Sequence, residues 1–265
     1  MRKVTEASAE VVILAIRRNA AVVHGNRNRV PKYHYIGAGT LLALIKYKKQ
    51  GGNFMTPVQK YNRLLAERTI EGLRKRNMDG FYAETKEEAL KLALSLIPEK
   101  STVSWGGSAT LNETGILNEL KNGDYKCLDR DAVNTKEEKE EIAHKALNAD
   151  YYLMSTNAMT ISGELINIDG NGNRVAALIY GPKNVLVIAG INKICDTYEA
   201  ALSRARNKAS IPNVIRFDCN TGCRKAGKCV DCLSVETVCC QFVHTRFSRV
   251  KDRIRVIIVG ENLGF

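Results

Sequence analysis

The sequence predicts an α/β protein, a mainly parallel sheet with helices on both faces, plus a cysteine-rich C-terminal loop. Three observations predict it. From Met55 onward, strand-like and helix-like segments alternate in the manner of crossover units. Val185–Ala189 is apolar without alternation, as a strand buried on both faces would be. Several helical patterns also open on a threonine followed three residues later by Glu or Gln, the signature of a capping box.

Taken in order, Thr56-Pro57-Val58-Gln59 caps a helix to about Asn77, with proline at its first position. Gly80–Ala83 reads as a strand. Thr85-Lys86-Glu87-Glu88 opens a second helix, with Ala89, Leu92, Ala93 and Leu96 on one face until Pro98 stops it. Ser101–Trp105 is a strand running into Gly106-Gly107-Ser108, and Thr110-Leu111-Asn112-Glu113 caps a helix ending near Gly123. Tyr125–Leu128 is a strand, Thr135-Lys136-Glu137-Glu138 opens another helix, and Tyr151–Ser155 is a strand. Glu164–Asp169 and Arg174–Tyr180 read as two strands joined in a hairpin by Gly170-Asn171-Gly172-Asn173, because Gly and Asn tolerate positive φ. After Val185–Ala189, Asp196-Thr197-Tyr198-Glu199 caps a helix to about Lys208. Residues 218–248 form the cysteine-rich loop, and Arg255–Val259 closes as a strand.

Residues 1–54 follow a different grammar. They carry ten Lys/Arg against two Glu, a net +8, so only +4 of the total +12 remains for residues 55–265. They read as a basic leader, either a disordered arm or a mis-assigned start with Met55 as the true first residue. Gly51-Gly52 can be encoded by a purine run of the kind that precedes an initiation codon. The mild charge of the remainder removes the main support for a nucleic-acid partner. No apolar run approaches the roughly 20 residues a bilayer span needs, and no secretory signal is visible. A cytoplasmic location is the expectation. There, eight cysteines point to metal or redox chemistry rather than disulfides.

The stretch Ser155–Lys193 carries more small polar groups than its turns need. It reads T-N-A-x-T, then G-E-L-x-N-I-D-G-x-G-N-R-V-A-A, G-P-K and G-x-N-K. This run resembles the core of the LUD domain family, the lactate-utilization proteins, and the likeness extends from about Thr56 to the C-terminus. The resemblance implies a NagB/RpiA/CoA-transferase-like fold. It also implies a role in oxidising L-lactate to pyruvate beside iron–sulfur and flavin partners, without fixing whether this chain is itself catalytic.

Candidate chemistry falls in five groups. Gly106, Gly107, Ser108 and Thr110 form a strand-to-helix loop whose backbone N–H groups can approach an anion. Asn157, Thr160, Asp169, Gly170, Gly172, Asn173 and Asn192 are the polar groups gathered at strand ends, where α/β proteins build sites. Arg174, Lys183 and Lys193 are the cations able to face a small carboxylate substrate, Arg174 the best placed. Glu113 and Glu164 are the candidate base or nucleophile. The last group is Cys223-x5-Cys229-x2-Cys232-x6-Cys239, four cysteines within seventeen positions, which suits a metal centre. Zinc and an iron–sulfur cluster both fit that spacing, and lactate oxidation tips the balance slightly toward iron–sulfur. Cys240 and His244 are reserve ligands, whereas Cys127 and Cys195 read as packing. Two other functions stay open: an acyl- or phosphosugar-handling enzyme, with Glu113 or Glu164 as nucleophile, and a non-catalytic ligand- or metal-binding regulatory module.

Overall fold

A computed structural model describes residues 55–265, so the basic leader expected over 1–54 lies outside the described residues. Thr56 caps α1 (Pro57–Lys75) with the reciprocal Gln59 bond of a capping box. β1 (Asp79–Ala83) and α2 (Lys86–Ser95) follow. Thr85 caps α2, but the Glu88 carboxylate accepts from the Glu84 N–H instead of from Thr85. β2 (Thr102–Trp105), α3 (Ala109–Glu113), α4 (Ile116–Asn122), β3 (Lys126–Leu128), a 3₁₀ turn at Arg130–Ala132 and α5 (Lys136–Ala146) come next. β4 (Tyr151–Met154), β5 (Ala158–Thr160), β6 (Leu165–Asp169), α6 (Asn173–Tyr180), β7 (Asn184–Gly190) and β8 (Ile194–Cys195) form the central stretch. α7 (Tyr198–Arg204), a π-helical turn (Ala205–Ala209), α8 (Ser210–Arg216), α9 (Gly222–Ala226), β9 (Gln241–Thr245) and β10 (Ile254–Val259) complete it.

Six strands form one parallel sheet in the order β1-β10-β7-β4-β2-β3. Its two faces are legible residue by residue. Tyr152, Val185 and Ile254 are register neighbours on one face, under Ile70 and Leu73 of α1 and Ala177 of α6. Leu153, Leu186, Ile188 and Ile257 belong to the other, under Ala89 and Ala93 of α2 and Leu111, Ile116 and Leu120 of α3 and α4. Both faces of β4 and β7 are therefore dry, which explains their unbroken apolar runs. Chain order reverses at β2, with β3 on one side of it and β4 on the other. Open α/β sheets form their ligand crevice at such a point.

A second, four-stranded sheet in the order β8-β5-β6-β9 was not foreseen. It meets α1 through two glycines. A Cβ on Gly72 would stand 2.5 Å from the Ser162 carbonyl carbon, and Gly163 has φ 86°. Only bare backbone permits that approach.

Several elements depart from expectation. Arg174–Tyr180 is not the second strand of a hairpin but α6, entered from Gly172 at φ 84°, with Val175, Ala177 and Leu178 buried. A short apolar run cannot separate strand from helix by periodicity. Thr110 is not a cap; Ser108 is, and a left-handed Gly115 (φ 75°) splits the expected helix into α3 and α4. The helix after Thr197 does not end near Lys208; the π turn carries it on to Arg216, through Pro212. The 218–248 stretch contains α9 and β9, the latter antiparallel to β6 with Ile168 opposite Phe242.

Candidate functional site

A pocket of about 390 Å³ opens beyond the carboxyl ends of β2 and β4, at the reversal point. Gly106 and Gly107 leave β2, Ser155 and Asn157 leave β4, and Lys193 arrives on the 3₁₀ turn after β7. The far wall comes from α8 with Arg216, from Val235–Val238, and from Phe265.

Arg174 organises one side. Its Nε donates to Asp169 Oδ2 at 3.1 Å, one Nη to Ser155 O and Asn167 Oδ1, and the other to Asn157 Oδ1 and Ile168 O. Asp169 also accepts from the Gly172 N–H at 2.7 Å, so the β6–α6 turn and the guanidinium fix each other. Every Arg174 nitrogen is thus bonded within the protein, and the side chain is only 13% exposed. Its aliphatic part lies against Gly106: a Cβ there would meet Arg174 Cδ at 3.0 Å and Tyr152 Oη at 3.2 Å. Burial pushes the Tyr152 hydroxyl up to about 12, with Arg174 opposing and Asp169 reinforcing, so the ring stays neutral.

Two other arginines reach the glycine loop from distant parts of the chain. A Cβ at Gly107 would stand 3.6 Å from Arg130 Nη2 and 3.9 Å from Arg216 Nη2. Arg130 has only a 3.9 Å contact with Asp131, and Arg216 lies 4.4 Å from the Phe217 ring centre and 5.9 Å from that of Phe265. Partial burial lowers the Arg216 pKa, and Asp131 opposes it. Among the described pocket residues the carboxylates are Asp169, committed to Arg174, and Glu236, which accepts from the Asn220 N–H at 2.6 Å. The pocket is therefore cationic, with guanidiniums converging on open backbone. α3, at five residues, contributes little dipole of its own.

Lys193 forms the floor. It is 3% exposed, and its Nζ lies 3.1 Å from Thr110 Oγ1 and 3.0 Å from Ser155 Oγ. Burial lowers its pKa to about 7, helped by Arg204 and Arg174, while Glu113 opposes.

Of the residues expected from sequence, Gly106, Gly107, Ser108 and Thr110 line the pocket, as do Asn157, Asp169, Gly170, Asn173, Arg174 and Lys193. Six others do not. Glu113 accepts from the Gly264 N–H at 2.9 Å, and Asn192 accepts from Leu263 N–H, so both hold the C-terminal segment in place. Glu164 lies in a separate clasp, 3.2 Å from Arg76 and 3.3 Å from His244, with Thr160 bonded to it. Gly172 serves the turn, and Lys183 is exposed at the amino end of β7, opposite the pocket. Ser155, Arg130, Arg216 and Phe265 were missed. Ser155 could have been read from its place at the end of a buried strand; the others carried no local signal.

Cys223, Cys229 and Cys239 are electrostatic neighbours, since the first two raise the Cys239 thiol pKa behind the larger effect of burial. They are otherwise engaged: Cys223 pairs with Thr221 Oγ1 at 3.2 Å, and Cys229 Sγ accepts from Arg206 Nε at 3.3 Å. Among the described residues no three Cys, His, Asp or Glu side chains stand close enough to hold a metal ion. The expected four-cysteine set is not assembled in this arrangement.

A family model described as the LUD domain matches residues 66–259. No curated protein matches the chain. Among solved structures, a DUF162 family protein from Deinococcus radiodurans is 11% identical, with 75% of this chain and 98% of that one covered and a TM-score of 0.45. Ribose 5-phosphate isomerase from Plasmodium falciparum is 20% identical over 42% of this chain and 52% of its own, with a TM-score of 0.29. eIF2B delta from Chaetomium thermophilum is 17% identical over 73% and 86%, with a TM-score of 0.31.

Proposed function

The chain belongs to the LUD domain family, and from that premise we propose that it is a lactate-utilization protein whose pocket holds a small hydroxy- or oxo-carboxylate. It would serve the oxidation of L-lactate to pyruvate as a subunit beside iron–sulfur and flavin partners. The observation that carries this reading is the convergence of Arg130 and Arg216 on Gly107, neither of them committed to a buried carboxylate. Guanidiniums with free donors beside open backbone suit a carboxylate, which accepts two parallel N–H bonds. Lys193, Thr110 and Ser155 then face the oxygen on the adjoining carbon.

Oxidising lactate releases two electrons and two protons, and among the described residues the cysteines are free thiols, so no disulfide is there to accept the electrons. Partners supply that acceptor in this reading, while this chain binds and orients the substrate. A metal centre on Cys223, Cys229, Cys232 and Cys239 is a separate proposal that rests on their spacing, and it requires the 218–240 segment to close around the ion. No step is derived through it. The reading is tested by capturing partners from lactate-grown cells and assaying lactate:acceptor activity. Activity that follows the wild-type chain and is lost with Arg130→Ala and Arg216→Ala supports it. Activity indifferent to both substitutions refutes it.

The pocket volume favours a second reading. About 390 Å³ exceeds what a three-carbon acid fills and would admit a phosphosugar or an acyl thioester arm. With Glu113 and Glu164 outside the pocket, such an enzyme would need a nucleophile other than the carboxylates expected from sequence.

A further inference from the structure

We propose that Lys193 is a nucleophile that captures an α-oxo acid as a covalent imine in this pocket. The inference rests on the carboxylate-pocket reading and adds a bond to it.

Three features of the geometry point there. Lys193 is a pocket-lining residue only 3% exposed, so its amine is shielded from bulk water beside the cavity. Among the described residues no carboxylate stands within ion-pair distance of it; its two bonded partners, the Thr110 and Ser155 hydroxyls, are neutral. The charged groups around it are mostly of its own sign: Arg204 on α7 and Arg174 on α6, with Glu113 on α3 opposing and itself bonded to the Gly264 N–H. An ammonium buried without a counter-charge is costly, whereas a neutral amine is satisfied by two hydroxyls that can each donate or accept. A pKa near 7 leaves about half of the side chain as free amine at neutral pH, against fewer than about one in 10³ for an ordinary lysine. Desolvation beside other cations is a recognised way to make lysine nucleophilic.

The step balances without a redox partner. The amine lone pair forms a C–N bond to the carbonyl carbon, and the carbonyl oxygen takes a proton to give a carbinolamine. The C–O bond then breaks and water leaves, so amine and oxo acid become imine and water. Ser155 and Thr110, whose hydroxyls lie 3.0 and 3.1 Å from Nζ, are placed to pass the protons. The carboxylate is held by Arg130 and Arg216 over Gly107. Lactate, which carries a hydroxyl in place of the carbonyl, cannot form this bond, so the device distinguishes the oxidised acid from the reduced one.

The test uses the full chain with pyruvate and sodium cyanoborohydride, read by intact mass and peptide mapping, with melting temperature followed in parallel. The expected result is one adduct per chain on the peptide carrying Lys193, formed at pH 7 on the order of 10³-fold faster than on an exposed lysine. Lys193→Met and Lys193→Arg should both abolish it, and acetaldehyde, which lacks the carboxylate, should label poorly. If pyruvate raises the melting temperature but no adduct forms, the imine is refuted and the carboxylate pocket stands. If pyruvate neither stabilises nor labels, both fall. Label spread over surface lysines, or persisting in either variant, also overturns the proposal. Mapping the wild-type chain decides the matter even if a variant fails to fold.

Discussion

Arg174→Ala should unfold this protein at a much lower temperature. The guanidinium is bonded to two side-chain amides, two backbone carbonyls and Asp169, and it ties the β4–β5 connection to β6 and α6. Removing it leaves Asp169, whose side chain is 9% exposed, as a buried charge without its partner. Breaking one member of a buried pair costs about 3–5 kcal/mol. For a folded body of about this size each kcal/mol moves the midpoint by about 2–4 °C, so the expected fall is about 6–20 °C. Arg174→Lys, which keeps the charge but not the fork, should fall in between. Thermal melts of the full chain, with and without pyruvate, provide the readout. From sequence alone Arg174 is the cation best placed to face a carboxylate, a ligand-binding role that predicts little loss of stability in the apo protein. A melting temperature within about 2 °C of wild type, combined with a lost ligand response, would restore that view and refute the structural role.

Two further outcomes follow from the same geometry. Lys193 releases its proton near pH 7 when folded but near the ordinary 10.5 when unfolded, so the unfolded chain binds more protons between those values and stability rises with pH across that window. Lys193→Met should therefore gain on wild type below pH 7 and lose that advantage toward pH 10, by up to about 5 kcal/mol over the window; parallel stability curves would show that the amine is not desolvated as described. Anaerobic purification with metal analysis and a visible spectrum should find one zinc or one iron–sulfur cluster per chain if the cysteine spacing is the better guide; metal below about 0.1 equivalents, with the thiols titrating freely in the folded state, would show that Cys223–Cys239 only pack.

What the sequence made legible was local. Thr56, Thr85 and Thr135 were readable as caps because a hydroxyl and an N–H three residues on suffice to define one, whereas after Asp196, the expected first residue of the box, the cap is Thr197, one position later. β7 was readable because burial on both faces removes alternation. Arg174 to Tyr180 was misread because the deciding fact is tertiary: α6 lays Ala177 and Leu178 against the sheet, whereas a strand would have needed a free edge. The glycine loop and Lys193, expected in one site, do line one pocket, yet their arrangement was not legible. Arg130 and Arg216 reach Gly107 from a 3₁₀ turn and from a helix prolonged by a π turn, and neither carries a motif. Glu113 and Glu164 were attractive as the carboxylates nearest the expected site, but one anchors the C-terminal segment and the other clasps Arg76 and His244.

The central claim is that this pocket binds a small carboxylate through Arg130 and Arg216, and the most direct measurement is calorimetric titration of the full chain with L-lactate and with pyruvate. The account predicts saturable binding of one equivalent per chain, weakened at least tenfold by Arg130→Ala and by Arg216→Ala, with each variant melting close to wild type. Heats indistinguishable from buffer dilution for both acids, or binding unchanged in both variants, would contradict it.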